Sequence, residues 1–181
     1  MLTFPRTTEL LLATVLMAAG KSHVFAQGME WQFSAQSAAP ITLPSWAARD
    51  SIRAALSYYD GVSRPLAGFL ADLNRDGTQD YVLRASLEVC GSNCEYLLVD
   101  GHTRSTIGRV GGSVLFVGPS EVNGYPVIRA YGHSSADAGS WSIFVFRSGG
   151  YVVIDSVYLQ GESLDRLFES LRDVPSWPTG R

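Results

Sequence analysis

The chain alternates short apolar runs with turn signals over most of its length. From residue 66 onward, runs rich in Val, Ile, Phe and Tyr are separated by pairs such as Gly111-Gly112 and Asn123-Gly124. Such pairs are typical of tight hairpin turns between antiparallel strands, in which successive side chains point to opposite faces. The pattern therefore predicts strands at residues 66–71, 81–89, 95–100, 106–110, 114–117, 127–131, 141–147 and 151–159.

Two segments have helical rather than strand periodicity. In residues 45–59, apolar side chains from Trp46 to Tyr59 recur at helical spacing. In residues 163–172, apolar side chains fall on one helical face, and Ser163 is a suitable N-cap. The expected fold class is α+β, mainly an antiparallel β meander that forms a sandwich- or half-barrel-like sheet. One N-terminal helix and one short C-terminal helix would complete it.

The first residues have the pattern of an export signal. Arg6 precedes an apolar run at residues 10–19, and Val24 and Ala26 stand at the positions that a signal peptidase reads. The run is too short for a bilayer span, which needs about 20 apolar residues. An N-terminal amphipathic helix of the mature domain is the alternative. The predicted organisation is a signal peptide, residues 1–26, and a single mature β-rich domain, residues 27–181, placed in the periplasm or secreted.

The slightly acidic charge of the chain limits the classes of partner expected for the predicted mature domain. The chain has 14 Lys and Arg against 17 Asp and Glu, and its one lysine, Lys21, lies within the predicted signal. No cluster of basic residues is present, so nucleic acid and anionic membrane surfaces are not expected partners. No second apolar run reaches transmembrane length, so no membrane span is expected after signal removal.

One nine-residue stretch carries the chemistry of a cation site. The oxygen donors at positions 1, 3, 5, 7 and 9 of a calcium loop would be Asp72, Asn74, Asp76, the Thr78 carbonyl and Asp80. Gly77 stands where the chain must turn sharply, but position 12 is Leu83 instead of the usual glutamate. The stretch therefore predicts weak calcium binding. The alternative is a metal-free hairpin turn, for which Asn, Asp and Gly are equally suitable.

Two cysteines bracket a short turn between predicted strands. Cys90 and Cys94 are separated by Gly-Ser-Asn. In an oxidising compartment two such neighbours are expected to form a disulfide. A zinc site would need further Cys or His ligands, and a thioredoxin-like site would need a C-x-x-C motif that opens a helix.

The pattern D-x-N-x-D-G-x-x-D followed by a strand resembles the calcium loops of FG-GAP or VCBS-type repeats. The resemblance covers residues 69–83, and this chain contains one copy, whereas such repeats form β-propellers as arrays. The resemblance implies calcium as the cofactor. With the CGSxC turn, residues 69–98 also resemble small secreted bacterial proteins, which implies periplasmic or secreted residence.

Catalytic patterns are weak in this sequence. Residues 132–136 begin like the G-x-S-x-G nucleophile elbow but lack its final glycine, and a strand follows instead of a helix. A serine hydrolase using Ser134, Asp137 and either His102 or His133 is the less favoured hypothesis. The expected function is an exported non-enzymatic binding or structural module with a protein partner in the periplasm. The alternative is a periplasmic inhibitor or immunity protein against a cell-wall hydrolase.

Overall fold

Two antiparallel sheets of five strands each form the described part of the protein. The computed structural model describes residues 31–48, 52, 66–84 and 93–177. Its strands are β1 (Trp31–Ser34), β2 (Ala39–Ile41), β3 (Leu66–Ala71), β4 (Asp80–Arg84), β5 (Cys94–Asp100), β6 (Ser105–Gly112), β7 (Val114–Val122), β8 (Tyr125–Ser135), β9 (Ala138–Arg147) and β10 (Gly150–Gln160).

The strand order shows two meanders. Sheet A has the order β1-β7-β8-β9-β10, and sheet B has the order β2-β3-β4-β5-β6. Every neighbouring pair is antiparallel. Ser113 is the only residue between β6 and β7, so the chain passes from one sheet to the other within a single residue.

The two sheets share one apolar core. Phe69, Val82 and Leu98 of sheet B and Leu115 and Ile128 of sheet A belong to the same buried cluster. These residues alternate with outward-facing ones along their strands, as the period of a half-buried strand requires. The two sheets therefore pack face to face around this core.

Both outer faces of the sandwich are also covered. Helix α1 (Glu162–Leu171) packs Leu164, Leu167 and Leu171 on sheet A, against Phe116 and Trp141. On sheet B, the outward residues Leu83, Leu97 and Val99 pack with Ala47 and Ile52 from the segment that follows β2. None of the helices in the described residues is long and apolar enough to cross a membrane.

The C-terminal tail closes the β1 edge of sheet A. Gln32 N donates to Pro175 O at 2.9 Å, and Trp177 N donates to Gln32 O at 2.9 Å. The Trp177 indole packs on Trp31 and Phe33. Its Nε1 donates to Leu70 O of sheet B at 2.9 Å, so the tail also joins the two sheets.

The predicted α+β class is wrong. Within the described ranges, the one helix of seven or more residues is α1, and no N-terminal helix is present there. Of the predicted helix at residues 45–59, Ser45–Ala48 is a 3-10 helix, while 49–51 and 53–59 lie outside the described residues. Ala47 and Ile52 pack on the outer face of sheet B, against Leu83, Leu97 and Val99.

The C-terminal helix is confirmed, but its predicted cap is not. The helix begins at Glu162 with Gly161 as N-cap, at φ +50°. Ser163 lies inside the first turn, where its hydroxyl donates to Gln160 O at 2.8 Å and accepts from Gln160 N at 3.0 Å. Most predicted strands are present but longer than expected, and residues 85–89 of the predicted second strand lie outside the described residues.

Candidate functional site

The turn between β3 and β4 is held by its own side chains. Asp72 accepts hydrogen bonds from Asp76 N at 3.0 Å and from Gly77 N at 2.9 Å. Asn74 Oδ1 accepts from Asp76 N at 3.1 Å, and Asp76 Oδ1 accepts from Thr78 N at 2.7 Å. Gly77 has a φ of +82°, which glycine adopts without strain. The side-chain oxygens of Asp72, Asn74 and Asp76, which were predicted to bind calcium, therefore accept hydrogen bonds from backbone N–H groups of the turn.

The Asp80 side chain is buried beneath the turn instead of facing its exposed loop residues. It is fully buried at the start of β4. Its Oδ2 accepts from Leu73 N at 2.8 Å and its Oδ1 accepts from Gly101 N at 2.9 Å. Burial raises the pKa of Asp80 to about 6, although these two hydrogen bonds lower it. One carboxylate thus joins the β3–β4 turn to the β5–β6 turn.

A second buried acid, which the sequence analysis did not select, lies beside the turn. Asp100 ends β5 and accepts hydrogen bonds from the Tyr125 hydroxyl and from Thr103 N. Its Oδ2 is 3.5 Å from Asn74 Nδ2. Burial alone would raise the pKa of Asp100, but the hydrogen bonds from Tyr125 and Thr103 lower it. The sequence signal is an acid that ends an apolar strand just before a glycine.

The donor set fits a calcium ion only in part. Asp76 is exposed and Asp72 and Asn74 are half-buried, whereas both Asp80 oxygens accept hydrogen bonds from backbone N–H groups beneath the turn. Within the described ranges, no three or more His, Cys, Asp or Glu side chains form a group that could hold a metal ion. The Arg75 guanidinium lies 3.4 Å from the Glu121 carboxylate of β7, a contact that ties the turn to sheet A.

The predicted disulfide remains a prediction. Cys94 is buried at the start of β5. Cys90 lies outside the described residues.

His102 and Ser134, two of the candidate hydrolase residues, lie near opposite ends of β8. His102 follows Asp100, which contacts Tyr125 at the start of β8, whereas Ser134 is near the end of that strand. At about 3.3 Å per residue, the strand from Tyr125 to Ser134 is roughly 30 Å long. The Asp137 carboxylate accepts from the neighbouring Ser135 hydroxyl at 2.7 Å.

His133, the other candidate base, belongs to a different contact set. Its Nδ1 is 3.2 Å from the Tyr131 hydroxyl. Its backbone N–H donates to Asn93 Oδ1 at 2.7 Å, and its carbonyl accepts from Asn93 Nδ2 at 2.8 Å. These contacts attach the residue before β5 to β8, and they give His133 a structural position.

The last strand of sheet A presents an apolar edge that the sequence analysis also missed. Five large apolar side chains of β10 are between 42% and 60% exposed, namely Val152, Val153, Ile154, Val157 and Tyr158. In the described structure β10 pairs with β9 alone. On the other edge of β10, Tyr151 lies against Gly108 of β6. Beyond Tyr151, no described strand pairs with that edge. Three consecutive β-branched residues, Val152 to Ile154, without a neighbouring Lys or Pro, are the signal that could have identified it.

Comparison of the chain with family models, with curated proteins and with solved structures finds no match. The functional interpretation therefore depends on the residues and geometry described above.

Proposed function

We propose that the chain is an exported, non-enzymatic binding module that binds a protein partner through the open edge of β10. The observation that carries this proposal is the set of exposed apolar side chains on that strand, from Val152 to Tyr158. Large apolar side chains grouped on one exposed element are typical of interaction surfaces.

The two edges of sheet A differ in whether another segment of the chain covers them. Backbone groups of β1 are hydrogen-bonded by the C-terminal tail at Pro175 and Trp177, which leaves no room for an added strand there. Among the described strands only β9 pairs with β10, so from Val152 onward the other edge of β10 presents backbone N–H and C=O groups between apolar side chains. An extended segment of another protein can satisfy such groups by adding a strand, and the side chains then provide the specificity.

Both faces of β10 contribute to this surface. The Ser142 and Ser156 hydroxyls lie 2.9 Å apart, so these residues share one face of the sheet. Val153 and Tyr158 lie on that face by register, since they pair with Phe144 and Ser140. Val157 pairs with Trp141 and lies on the face that carries α1. A partner strand would therefore meet exposed apolar side chains above and below the sheet.

Calcium at the β3–β4 turn is a secondary part of the proposal. Asp72, Asn74 and Asp76 are the residues that would hold the ion, and a bound ion would neutralise the carboxylates of the turn. Both oxygens of Asp80 face inward, so the binding would be weak and would serve stability.

The binding proposal is tested by affinity capture from a periplasmic extract. The bait is the chain from residue 27 onward, compared with a variant carrying Val153→Lys and Tyr158→Lys. A matched control carries Thr42→Lys and Ser120→Lys, which add the same two charges at exposed positions away from β10. We expect the parent and the control to retain a common protein that the β10 variant loses. Equal retention by all three baits would contradict the proposal.

A further inference from the structure

The β10 edge carries a single carboxylate among its exposed apolar side chains. Asp155 is exposed in the middle of the strand, and β10 contains no Lys or Arg. Its neighbour across the sheet is Ile143 of β9. In the described structure no basic side chain forms a salt bridge with Asp155.

A β-bulge fixes where this carboxylate points. The register with β9 shifts between Val153 and Asp155, so Ile154 is an extra residue on the β10 side. Bulges re-aim side chains and limit unspecific pairing along an edge. Beyond the bulge the strand is regular, with Asp155 and Val157 on the α1 face and Ser156 on the opposite face.

From this charge and register we infer that the partner of β10 is an extended segment with a Lys or Arg opposite Asp155 and an apolar residue two positions away, opposite Val157. The inference rests on the proposed function and specifies the chemistry of its partner. A basic residue opposite Asp155 gains a cross-strand ion pair, whereas an acidic residue there is repelled. The residue between them lies opposite Ser156, whose hydroxyl suits a small polar side chain.

A second copy of this chain is a poorer occupant. Because β10 has no basic residue, pairing of two β10 strands supplies no positive charge for Asp155. A two-fold axis at Asp155 would place the two carboxylates opposite each other, which is destabilising.

The test uses two labelled ten-residue peptides in which valine and threonine alternate. One peptide has a central valine replaced by lysine, and the other has glutamate at the same place. Fluorescence polarisation gives the affinity of each peptide for the parent, for Asp155→Lys and Asp155→Asn, and for a control, Asp173→Lys. Asp173 is exposed after α1, near the β1 side of sheet A, so the control makes the same charge change away from β10.

We expect the parent and the control to bind the lysine peptide about three- to tenfold more tightly than the glutamate peptide. Asp155→Lys should reverse this order, and Asp155→Asn should remove the preference without reversing it. The preference of the parent should decrease at high salt, since exposed charges are screened.

Three results would overturn the inference. Equal affinity of the parent for both peptides would contradict a basic residue in the partner, but it would not contradict the binding role of β10. Binding of neither peptide, with a dimer in sedimentation that Asp155→Lys disrupts, would identify a second copy as the occupant. Binding of neither peptide by a monomer would also overturn it. The proposed function itself fails separately, when the β10 lysine variant retains the captured partner.

Discussion

Among single residues, Asp80 has an environment that makes the stability of the fold depend on pH. Its burial raises its pKa from 3.8 to about 6. Between these values the native state holds a proton that the unfolded chain has released. The free energy of unfolding that Asp80 contributes therefore decreases as the pH rises from about 4 to about 6. The full shift corresponds to on the order of 3 kcal/mol.

The Asp80→Asn variant isolates this contribution. The asparagine cannot titrate. Its amide nitrogen, a donor, would face one of the two backbone N–H groups that donate hydrogen bonds to Asp80. We expect the variant to be less stable throughout, and the advantage of the parent to shrink from pH 4 to pH 6. Urea unfolding with a calcium chelator at pH 4, 5, 6 and 7 measures this. An advantage that grows with pH over that range would contradict the prediction.

The Tyr96 hydroxyl is buried and has no hydrogen-bond partner in the described structure. A buried unsatisfied hydroxyl costs about 1–3 kcal/mol, so we expect Tyr96→Phe to stabilise the domain by about 1 kcal/mol. The matched control is Tyr151→Phe, because the Tyr151 hydroxyl donates to Pro126 O at 2.9 Å. That variant should destabilise by about 1 kcal/mol. Denaturant unfolding that gives both variants the same sign would contradict this difference.

The turn residues were predictable, but their roles were only partly so. The spacing of Asp72, Asn74 and Asp76 correctly predicted a tight turn between two strands. The inward orientation of Asp80 was not predictable, because it depends on Gly101, a contact 21 residues away in the sequence. A Cβ at Gly101 would lie 2.0 Å from Gln79 O, so this close approach needs glycine. The Asp100–Tyr125 contact was not predictable either, because it also joins residues far apart in the sequence.

At the scale of elements, the β3–β4 turn is where calcium would act. Extracellular sites with incomplete ligands have dissociation constants near 10⁻⁴–10⁻³ M, and a ligand at ten times that concentration adds about 1.4 kcal/mol. We expect millimolar calcium to raise the melting temperature of the parent above its value in chelator. Asp76→Ala should lose this increase, whereas Asp173→Ala, which removes an exposed acid outside the turn, should keep it. Equal melting temperatures for the parent with and without calcium would leave a metal-free hairpin turn.

The C-terminal tail is the element that closes one edge of sheet A and joins it to sheet B. Trp177 packs on Trp31 and Phe33 and donates its indole N–H to Leu70 O. We expect Trp177→Ala to destabilise the domain by about 2 kcal/mol or more, through lost packing and an unpaired carbonyl. Trp177→Phe should keep part of the packing and cost about 1 kcal/mol. Denaturant unfolding measures both, and a Trp177→Ala variant as stable as the parent would show that the tail is dispensable.

Strands and helices differed in how well the sequence predicted them. Alternating apolar residues and Gly or Asn turns identified the strands, because strand burial and tight turns are local properties. Residues Ser45–Ala48 form a 3-10 helix, and apolar side chains that pack on the outer face of a sheet can have similar spacing to an amphipathic helix. Helix α1 was predictable, since its apolar stripe of Leu164, Leu167 and Leu171 is regular.

At the scale of the whole molecule, the order of strands determines where binding is possible. Sheet A begins at β1, which the tail covers, and ends at β10, which is open beyond Tyr151. The sequence predicted a strand at residues 151–159. It did not predict an edge, because edge position depends on the pairing of all the strands.

Amide hydrogen exchange on the domain alone and with its captured partner tests the binding role of β10 most directly. Strand addition would place partner carbonyls on the open backbone N–H groups between Val152 and Tyr158. We expect exchange there to slow on binding, at those amides that point away from β9, while exchange in the turn at residues 72–80 stays unchanged. Slower exchange in that turn or on β1, with no change along β10, would contradict the proposed function.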